Sequence, residues 1–198
     1  FRRVLFRSRR AHKPPIRCRD RAPAVLAEAV GCCHGSANTR RSSASGEPVR
    51  GTAAIVALDT NILVRRVSSL DSQHIPVRAA LERLTAHGAV VCVTAQNIME
   101  FWVVATRPAE VNGLGMTPLQ ARIEVDKFLG AFTLLPDPAD LLERRLDLCS
   151  QHAVCGRPAH DARLVAVMQA HGVARLLTLN PDDFKRYSEV TCLALADV

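Results

Sequence analysis

Short apolar runs that end in polar residues alternate with helical patterns along residues 53–198. Strand-like runs occupy 53–58, 89–93, 132–135, 174–178 and 190–195. Between them, apolar residues recur at helical spacing over 76–86, 94–106, 117–130, 138–150 and 159–170. Regular alternation of strand and helix is typical of parallel sheets covered on both faces. The sequence therefore predicts an α/β protein, a three-layer α/β/α fold with a central, mostly parallel sheet.

The positive charge of the chain lies outside this region. The net charge is +7, but residues 1–50 hold 12 Lys and Arg against 3 Asp and Glu, whereas residues 51–198 hold 14 against 16. Clustered basic residues favour nucleic-acid binding through phosphate contacts. Because the basic residues are concentrated before residue 51, net charge carries no information about the function of the folded region.

Residues 1–50 show no sustained strand or helix period, and we expect a basic tail of low order. An RNA-gripping arm and an acid-poor targeting peptide are two interpretations. We favour a third, in which residues 1–8 are the translation of a sequencing-adapter end. The rest, to about Val49, would be upstream DNA translated before a true start between Val49 and Val56. Residues 51–198 are then the functional domain.

No apolar run approaches the roughly 18 residues that a membrane span requires. The seven cysteines are odd in number and unevenly spaced, a pattern that does not predict a disulfide framework. Both features predict a protein without a membrane partner, located in a reducing cytoplasm.

Acidic and amide side chains follow the predicted strands or lie on the next helix. Asp59 ends the first strand, Glu100 lies in the helix after the second, Asp161 lies in the first turn of a late helix, and Asn180 and Asp183 follow the fourth strand. Functional groups of parallel sheets gather at the carboxyl ends of strands. Clustered carboxylates repel each other unless a cation is present, and oxygen ligands suit Mg²⁺. This pattern predicts a magnesium site, in which Mn²⁺ can substitute.

Other interpretations of these residues exist. Asp59 is also suited to capping a helix, as are Thr60 and Asn61. The alternative for Glu100 is an ordinary solvated acid of a helix. Its neighbours, including Phe101 and Trp102, are apolar, and a stray acid among such residues is costly, so we favour a functional role. We interpret both aromatic residues as core rather than as a base-stacking surface.

Two enzyme alternatives are weaker. A haloacid-dehalogenase-like phosphatase also begins with Asp after its first strand, but it needs a second acid where Asn61 stands. His160 with Asp161 suggests a hydrolase dyad, but the chain has no nucleophile elbow.

Four basic residues suit either phosphate binding or solvated surface: Arg157, Arg163, Lys185 and Arg186. Residues 112–115 are predicted to be a flexible connection.

Four segments together resemble PIN-domain nucleases, in particular the VapC toxins. They are Ala-Leu-Asp-Thr-Asn-Ile-Leu-Val-Arg at 57–65, Thr94 with Glu100, His-Asp-Ala-Arg-Leu-Val-Ala at 160–166, and Leu-Leu-Thr-Leu-Asn-Pro-Asp-Asp-Phe at 176–184. The resemblance covers roughly residues 53–196 with order and spacing intact. It implies that Asp59, Glu100 and Asp161 hold the metal.

The same resemblance implies roles for the remaining site residues. Thr60 and Asn61 would steady the site by hydrogen bonding, and Thr178 would end the last motif strand. PIN nucleases often carry Asp where Asn180 stands. This departure leaves open whether Asp183 takes over as the fourth catalytic acid or Asn180 orients a water.

The resemblance further implies an Mg²⁺-dependent endoribonuclease that leaves a 5′-phosphate and a 3′-hydroxyl. VapC toxins cut structured RNAs such as tRNA or rRNA, form homodimers and are blocked by a VapB-like antitoxin. An alternative of a different class is a catalytically weak PIN-like domain that acts as an RNA-binding or regulatory module.

Overall fold

A computed structural model describes residues 53–198 of the chain; the predicted tail lies outside the described residues. The strands are β1 (Ile55–Leu58), β2 (Val90–Thr94), β3 (Thr133–Leu135), β4 (Arg175–Leu177) and β5 (Thr191–Leu193). The α-helices are α1 (Thr60–Val67), α2 (His74–Ala86), α3 (Ala95–Thr106), α4 (Pro118–Ala131), α5 (Leu141–Gln151) and α6 (Ala159–Ala170). Two 3₁₀ turns, Ala109–Val111 and Pro181–Asp183, lie in the connections. Each predicted strand and helix is present, with ends shifted by up to three residues.

The strands form a single sheet in the order β3-β2-β1-β4-β5. Every pairing is parallel, so the described sheet is fully rather than mostly parallel. The chain moves outward from β1 to β3 and then crosses to the other side of β1 to form β4. The switch point of the sheet therefore lies between β1 and β4, where open α/β folds form their ligand crevice.

The alternation of side chains along the strands divides the core in two. Val56 and Leu58 of β1 face a cluster that includes residues of α1, α2, α3 and α4. Ala57, between them, faces a second cluster with residues of α5 and α6. Successive residues of a strand point to opposite faces of the sheet, so the two clusters lie on opposite faces. Four helices therefore cover one face and two cover the other. This arrangement confirms the predicted three-layer α/β/α fold.

The starts of α3 and α4 follow the capping chemistry of the sequence, whereas the start of α1 does not. The hydroxyl oxygens of Thr94 and Thr117 accept hydrogen bonds from the third residue of α3 and of α4, and both form full capping boxes. The prediction that Thr60 or Asn61 caps α1 is wrong. Asp59 occupies the cap position, and its side chain makes no capping bond. Thr60 and Asn61 are helical residues, and their side chains are used elsewhere.

Residues 112–115 differ from the predicted flexible connection. Gly113 N–H donates to Pro108 O (3.0 Å) and Gly115 N–H to Arg107 O (2.8 Å), so the backbone folds back on itself. A Cβ on Gly113 would lie 1.9 Å from Arg107 O, a contact that no side chain tolerates. The segment is a hydrogen-bonded turn that requires glycine at position 113.

No helix within residues 53–198 is long and apolar enough to cross a bilayer. Among the described cysteines, Cys92, Cys149 and Cys192 are free thiols.

The aromatic pair Phe101 and Phe128 gives a direct test of the four-helix side of the core. Both side chains are fully buried, and their rings meet edge to face with centroids 4.9 Å apart. We expect Phe128→Ala to lower the free energy of unfolding by about 3–5 kcal/mol, since a large cavity would replace the ring. Urea denaturation measures the loss.

Leu119→Ala on the same helix is the matched control, because Leu119 is 71% exposed. It should change the free energy of unfolding by less than about 0.5 kcal/mol. A loss below about 1 kcal/mol for Phe128→Ala would contradict the described packing around α3 and α4.

Candidate active site

Asp59 lies at the switch point of the sheet, directly after β1. Its backbone N–H donates to Leu177 O of β4 (3.0 Å), which continues the β1–β4 pairing to the strand ends. One carboxylate oxygen, Oδ2, accepts hydrogen bonds from Asn61 Nδ2 (2.6 Å) and from Thr178 Oγ1 (2.7 Å). The carboxylate is therefore fixed by one donor from α1 and one from the end of β4.

Asn61 and Thr178 form a buried frame around this carboxylate. Asn61 Nδ2 also donates to Thr178 Oγ1 (3.2 Å), and Asn61 Oδ1 accepts from Leu179 N–H (3.3 Å). Asn180 N–H donates to Thr178 Oγ1 (3.0 Å). Asn61 and Thr178 are 4% and 2% exposed, so their polar atoms depend on these mutual bonds.

Glu100 projects from α3 and has both carboxylate oxygens hydrogen-bonded. Oε2 accepts from Thr60 Oγ1 (2.7 Å), and Oε1 accepts from Gln96 Nε2 (2.8 Å). Thr60 Oγ1 in turn accepts from Asn97 Nδ2 (3.2 Å). Thr60 and Glu100, which belong to two different motifs of the sequence, are thus in direct contact, although they are 40 positions apart.

Asp161 lies in the first turn of α6, as the sequence predicted. The preceding carbonyl, His160 O, accepts a hydrogen bond from Gln96 Nε2 (3.0 Å), the same nitrogen that reaches Glu100. This contact joins the turn that carries Asp161 to α3. The negative charge of Asp161 also contributes to the raised pKa of Tyr187, about 12, whose main cause is burial of the phenol.

Asn180 directly precedes the 3₁₀ turn that follows β4, and Asp183 is the last residue of that turn. Asp183 is close enough to Asp59 for its charge to raise the pKa of that carboxyl. The backbone N–H of Asn180 supports Thr178. The structure thus places negative charge near Asp59 from Asp183, three residues after the position where PIN nucleases often carry an acid.

Burial raises the pKa of Asp59 from 3.8 to about 6. The hydrogen bond from Thr178 opposes the rise, whereas the negative charges of Glu100 and Asp183 add to it. Within residues 53–198, neither Asp59 nor Glu100 forms an ion pair with Lys or Arg. Three acids from distant parts of the chain therefore lie within electrostatic reach, and neutral groups hydrogen-bond two of them.

The carboxylate oxygens of these acids fit a hard divalent cation in charge and atom type. Among the residues of 53–198, no three His, Cys, Asp or Glu side chains are grouped closely enough to form a complete ligand set. Mg²⁺ is commonly held through one or two carboxylates, with water and substrate oxygens filling its remaining positions. Asp59 and Glu100 are two carboxylates of the required type, and their binding of a metal, alone or together with Asp161, stays a prediction.

Two of the basic residues named in the sequence analysis, Arg163 and Lys185, form ion pairs with nearby acids. Arg163 Nη2 forms an ion pair with Asp137 Oδ2 (2.6 Å), and Lys185 Nζ forms one with Asp182 Oδ1 (2.9 Å). Phe101 is fully buried and Trp102 packs against the same core cluster, which confirms their interpretation as core residues.

Two site residues were missed by the sequence analysis. Asn97 is 1% exposed and links the Thr94 cap to Thr60. Its position three residues after Thr94 is a capping-box signal, which indicates a helix start but not a contact with the site. Gln96 gave no signal, since its partners lie on two different helices.

The family of the chain follows from comparison with known proteins. The sequence profile of the PIN domain matches residues 56–190, more than half of the chain. The chain belongs to the PIN domain family. No curated protein sequence matches it.

Several solved structures share the fold. A chain of VapBC2 from Rickettsia felis, solved with a promoter DNA fragment, is 19% identical, with a TM-score of 0.54 over 71% of this chain and 98% of that one. DNA-bound VapBC from Salmonella typhimurium is 16% identical, with a TM-score of 0.55 over 72% and 98%. FitAcB from Neisseria gonorrhoeae is 18% identical, with a TM-score of 0.52 over 72% and 99%. At these identities the likeness establishes the fold.

The raised pKa of Asp59 predicts a pH-dependent stability in EDTA. Because the folded carboxyl, with a pKa of about 6, binds its proton more tightly than the unfolded one at 3.8, its favourable contribution is complete below pH 4. We expect this contribution to be lost as the pH rises from 4 to 7, by up to about 3 kcal/mol. Urea denaturation across this range measures it.

Asp59→Asn should lack this fall, so the difference in unfolding free energy between parent and variant should change steadily from pH 4 to 7. Asp126→Asn, at an exposed carboxylate paired with Arg122 on α4, is the control for removal of one charge. Parallel curves for the parent and Asp59→Asn would show that Asp59 titrates normally.

Proposed function

We propose that this protein is a metal-dependent endoribonuclease and the toxin of a VapBC-type toxin–antitoxin module. The observation that supports the activity most directly is the state of Asp59. It is a partly buried carboxyl at the switch point of a parallel sheet, with Glu100 and Asp183 nearby and no basic partner in the described chain. Such a group gains most from a bound cation.

In this proposal, Asp59 and Glu100 hold Mg²⁺ or Mn²⁺, and Asp161 and Asp183 complete the acidic site around the scissile phosphate. When bound, the ion supplies a water of lowered pKa and neutralises charge on the phosphoryl oxygens. Thr60, Asn61 and Thr178 keep the two carboxylates oriented through the observed hydrogen bonds. Hydrolysis would leave a 5′-phosphate and a 3′-hydroxyl.

The toxin assignment is supported by the fold. Similar structures include VapBC complexes from Rickettsia felis and Salmonella typhimurium. We infer a cytoplasmic protein that cuts tRNA or rRNA, forms a homodimer and binds a VapB-like antitoxin. The alternative of a catalytically weak RNA-binding or regulatory module is favoured by one feature, the neutral Asn180 where PIN nucleases often have an acid.

Cleavage of labelled structured RNA by the full chain tests the activity. We expect strand scission with Mg²⁺ or Mn²⁺ and none in EDTA. Asp59→Asn should lower the cleavage rate by at least about 100-fold, because replacing a residue that only orients a metal ligand already lowers metal affinity or activity by 10- to 100-fold. Asp126→Asn should cleave at the parental rate, since Asp126 lies on the exposed side of α4.

Because every variant keeps the basic residues 1–50, non-specific RNA binding is equal in all arms of this assay. Absence of scission in a folded, metal-loaded protein would favour the alternative of a non-catalytic module. Cleavage that persists equally in Asp59→Asn would exclude the proposed site.

The toxin assignment predicts an effect on growing cells. Induced expression of the chain in bacteria should arrest growth, whereas Asp59→Asn, expressed to the same level, should not. The assignment also predicts a small antitoxin gene beside this one, and co-expression of its product should restore growth and yield a complex that co-purifies with the chain. Equal growth of parent and Asp59→Asn cultures would contradict a toxin function, and equal arrest would assign toxicity to something other than the site.

A further inference from the structure

Gln96 lies in the first turn of α3, four residues before Glu100, so both side chains are on the same face of the helix. Its amide nitrogen donates to Glu100 Oε1 (2.8 Å) and to His160 O on α6 (3.0 Å). One –NH₂ group has two hydrogens, and each has an acceptor on a different helix. Gln96 therefore connects the acid of α3 to the turn that carries Asp161.

The other end of the carboxamide is also held. Gln96 Oε1 accepts from Arg163 Nη1 (3.4 Å), and the same guanidinium is anchored by Asp137 through Nη2 (2.6 Å). Rotating the amide by 180° would place its oxygen against Glu100 and a carbonyl, and its nitrogen against the guanidinium. The surroundings thus permit a single orientation of the Gln96 side chain.

The chemical type of these donors matters for the acid. Glu100 is held by a hydroxyl from Thr60 on one side and by an amide from Gln96 on the other. A Lys or Arg in either place would neutralise the carboxylate and compete with a cation. Neutral donors fix its direction and leave its negative charge in place.

We propose that Gln96 is a positioning residue of the active site. Gln96 holds the Glu100 side chain in its metal-binding orientation and fixes its position relative to the first turn of α6. This proposal rests on the proposed function and deepens it. Gln96 does not touch the reacting atoms; it acts through Glu100 and through the backbone beside Asp161. Hydrogen bonds that hold a metal-binding side chain in place commonly contribute 10- to 100-fold to metal affinity or activity.

The test compares the full chain with Gln96→Met and Gln96→Asn. Methionine keeps the length of the side chain but removes its hydrogen bonds, and asparagine keeps the carboxamide but shortens its reach by one methylene. Gln169→Met, near the opposite end of α6 from Asp161, is the matched control. Mn²⁺ affinity is measured by electron paramagnetic resonance, kcat and KM on a cleaved RNA, and Tm by circular dichroism.

We expect both Gln96 variants to lower Mn²⁺ affinity and kcat by about 10- to 100-fold. KM for RNA should stay within twofold, and Tm should fall by no more than about 2–4 °C. Gln169→Met should match the parent in all four measurements. A residue that only pins α3 to α6 would lower Tm and leave Mn²⁺ affinity and kcat within twofold of the parent, and that result would overturn the proposal.

The outcomes also separate this proposal from the proposed function. If the parent binds Mn²⁺ but cuts no RNA, the nuclease assignment fails, and Gln96 is judged on Mn²⁺ affinity alone. If the parent neither binds Mn²⁺ nor cuts RNA, both proposals fail. If the parent does both and the Gln96 variants equal it, the positioning role alone is wrong.

Discussion

The hydrogen bonds that join Asp59, Asn61 and Thr178 are the contact on which the site depends. They connect the end of β1 to the end of β4, the two strands that flank the switch point of the sheet. Because Asn61 and Thr178 are buried, their polar atoms have few other partners, and the carboxylate of Asp59 completes their bonding. The same three side chains therefore close the end of the fold and orient its central acid.

The neutral hydrogen-bond donors around the two acids have an electrostatic consequence for Asp59. Asp59 and Glu100 receive hydrogen bonds from hydroxyl and amide groups, which orient a carboxylate without neutralising it. Burial together with neighbouring negative charge then raises the pKa of Asp59. In a site built only for stability, a basic side chain would be expected beside such an acid, or an apolar residue in its place. The lack of a basic partner for Asp59 and Glu100 within residues 53–198 therefore supports the proposed metal site.

The sequence predicted the features that depend on local pattern. Parallel strands bring their carboxyl ends to one edge, so the acids that follow β1 and β4 were predicted to gather there. The sequence did not predict the contacts of Gln96, because they depend on the distance between α3 and α6, which is set by the packing of the core. Thr60 and Asn61 were ambiguous for a related reason: capping and site contacts require the same polar groups, and tertiary partners decide between them.

Asn180 shows how an acidic site tolerates a neutral residue. What the fold requires of this position is its backbone N–H, which donates to Thr178 and needs no particular side chain. The negative charge expected there is supplied nearby by Asp183, whose carboxylate acts on Asp59. Backbone support can therefore come from the residue before the 3₁₀ turn and charge from the last residue of the turn, so a neutral Asn180 is compatible with an acidic site around Asp59.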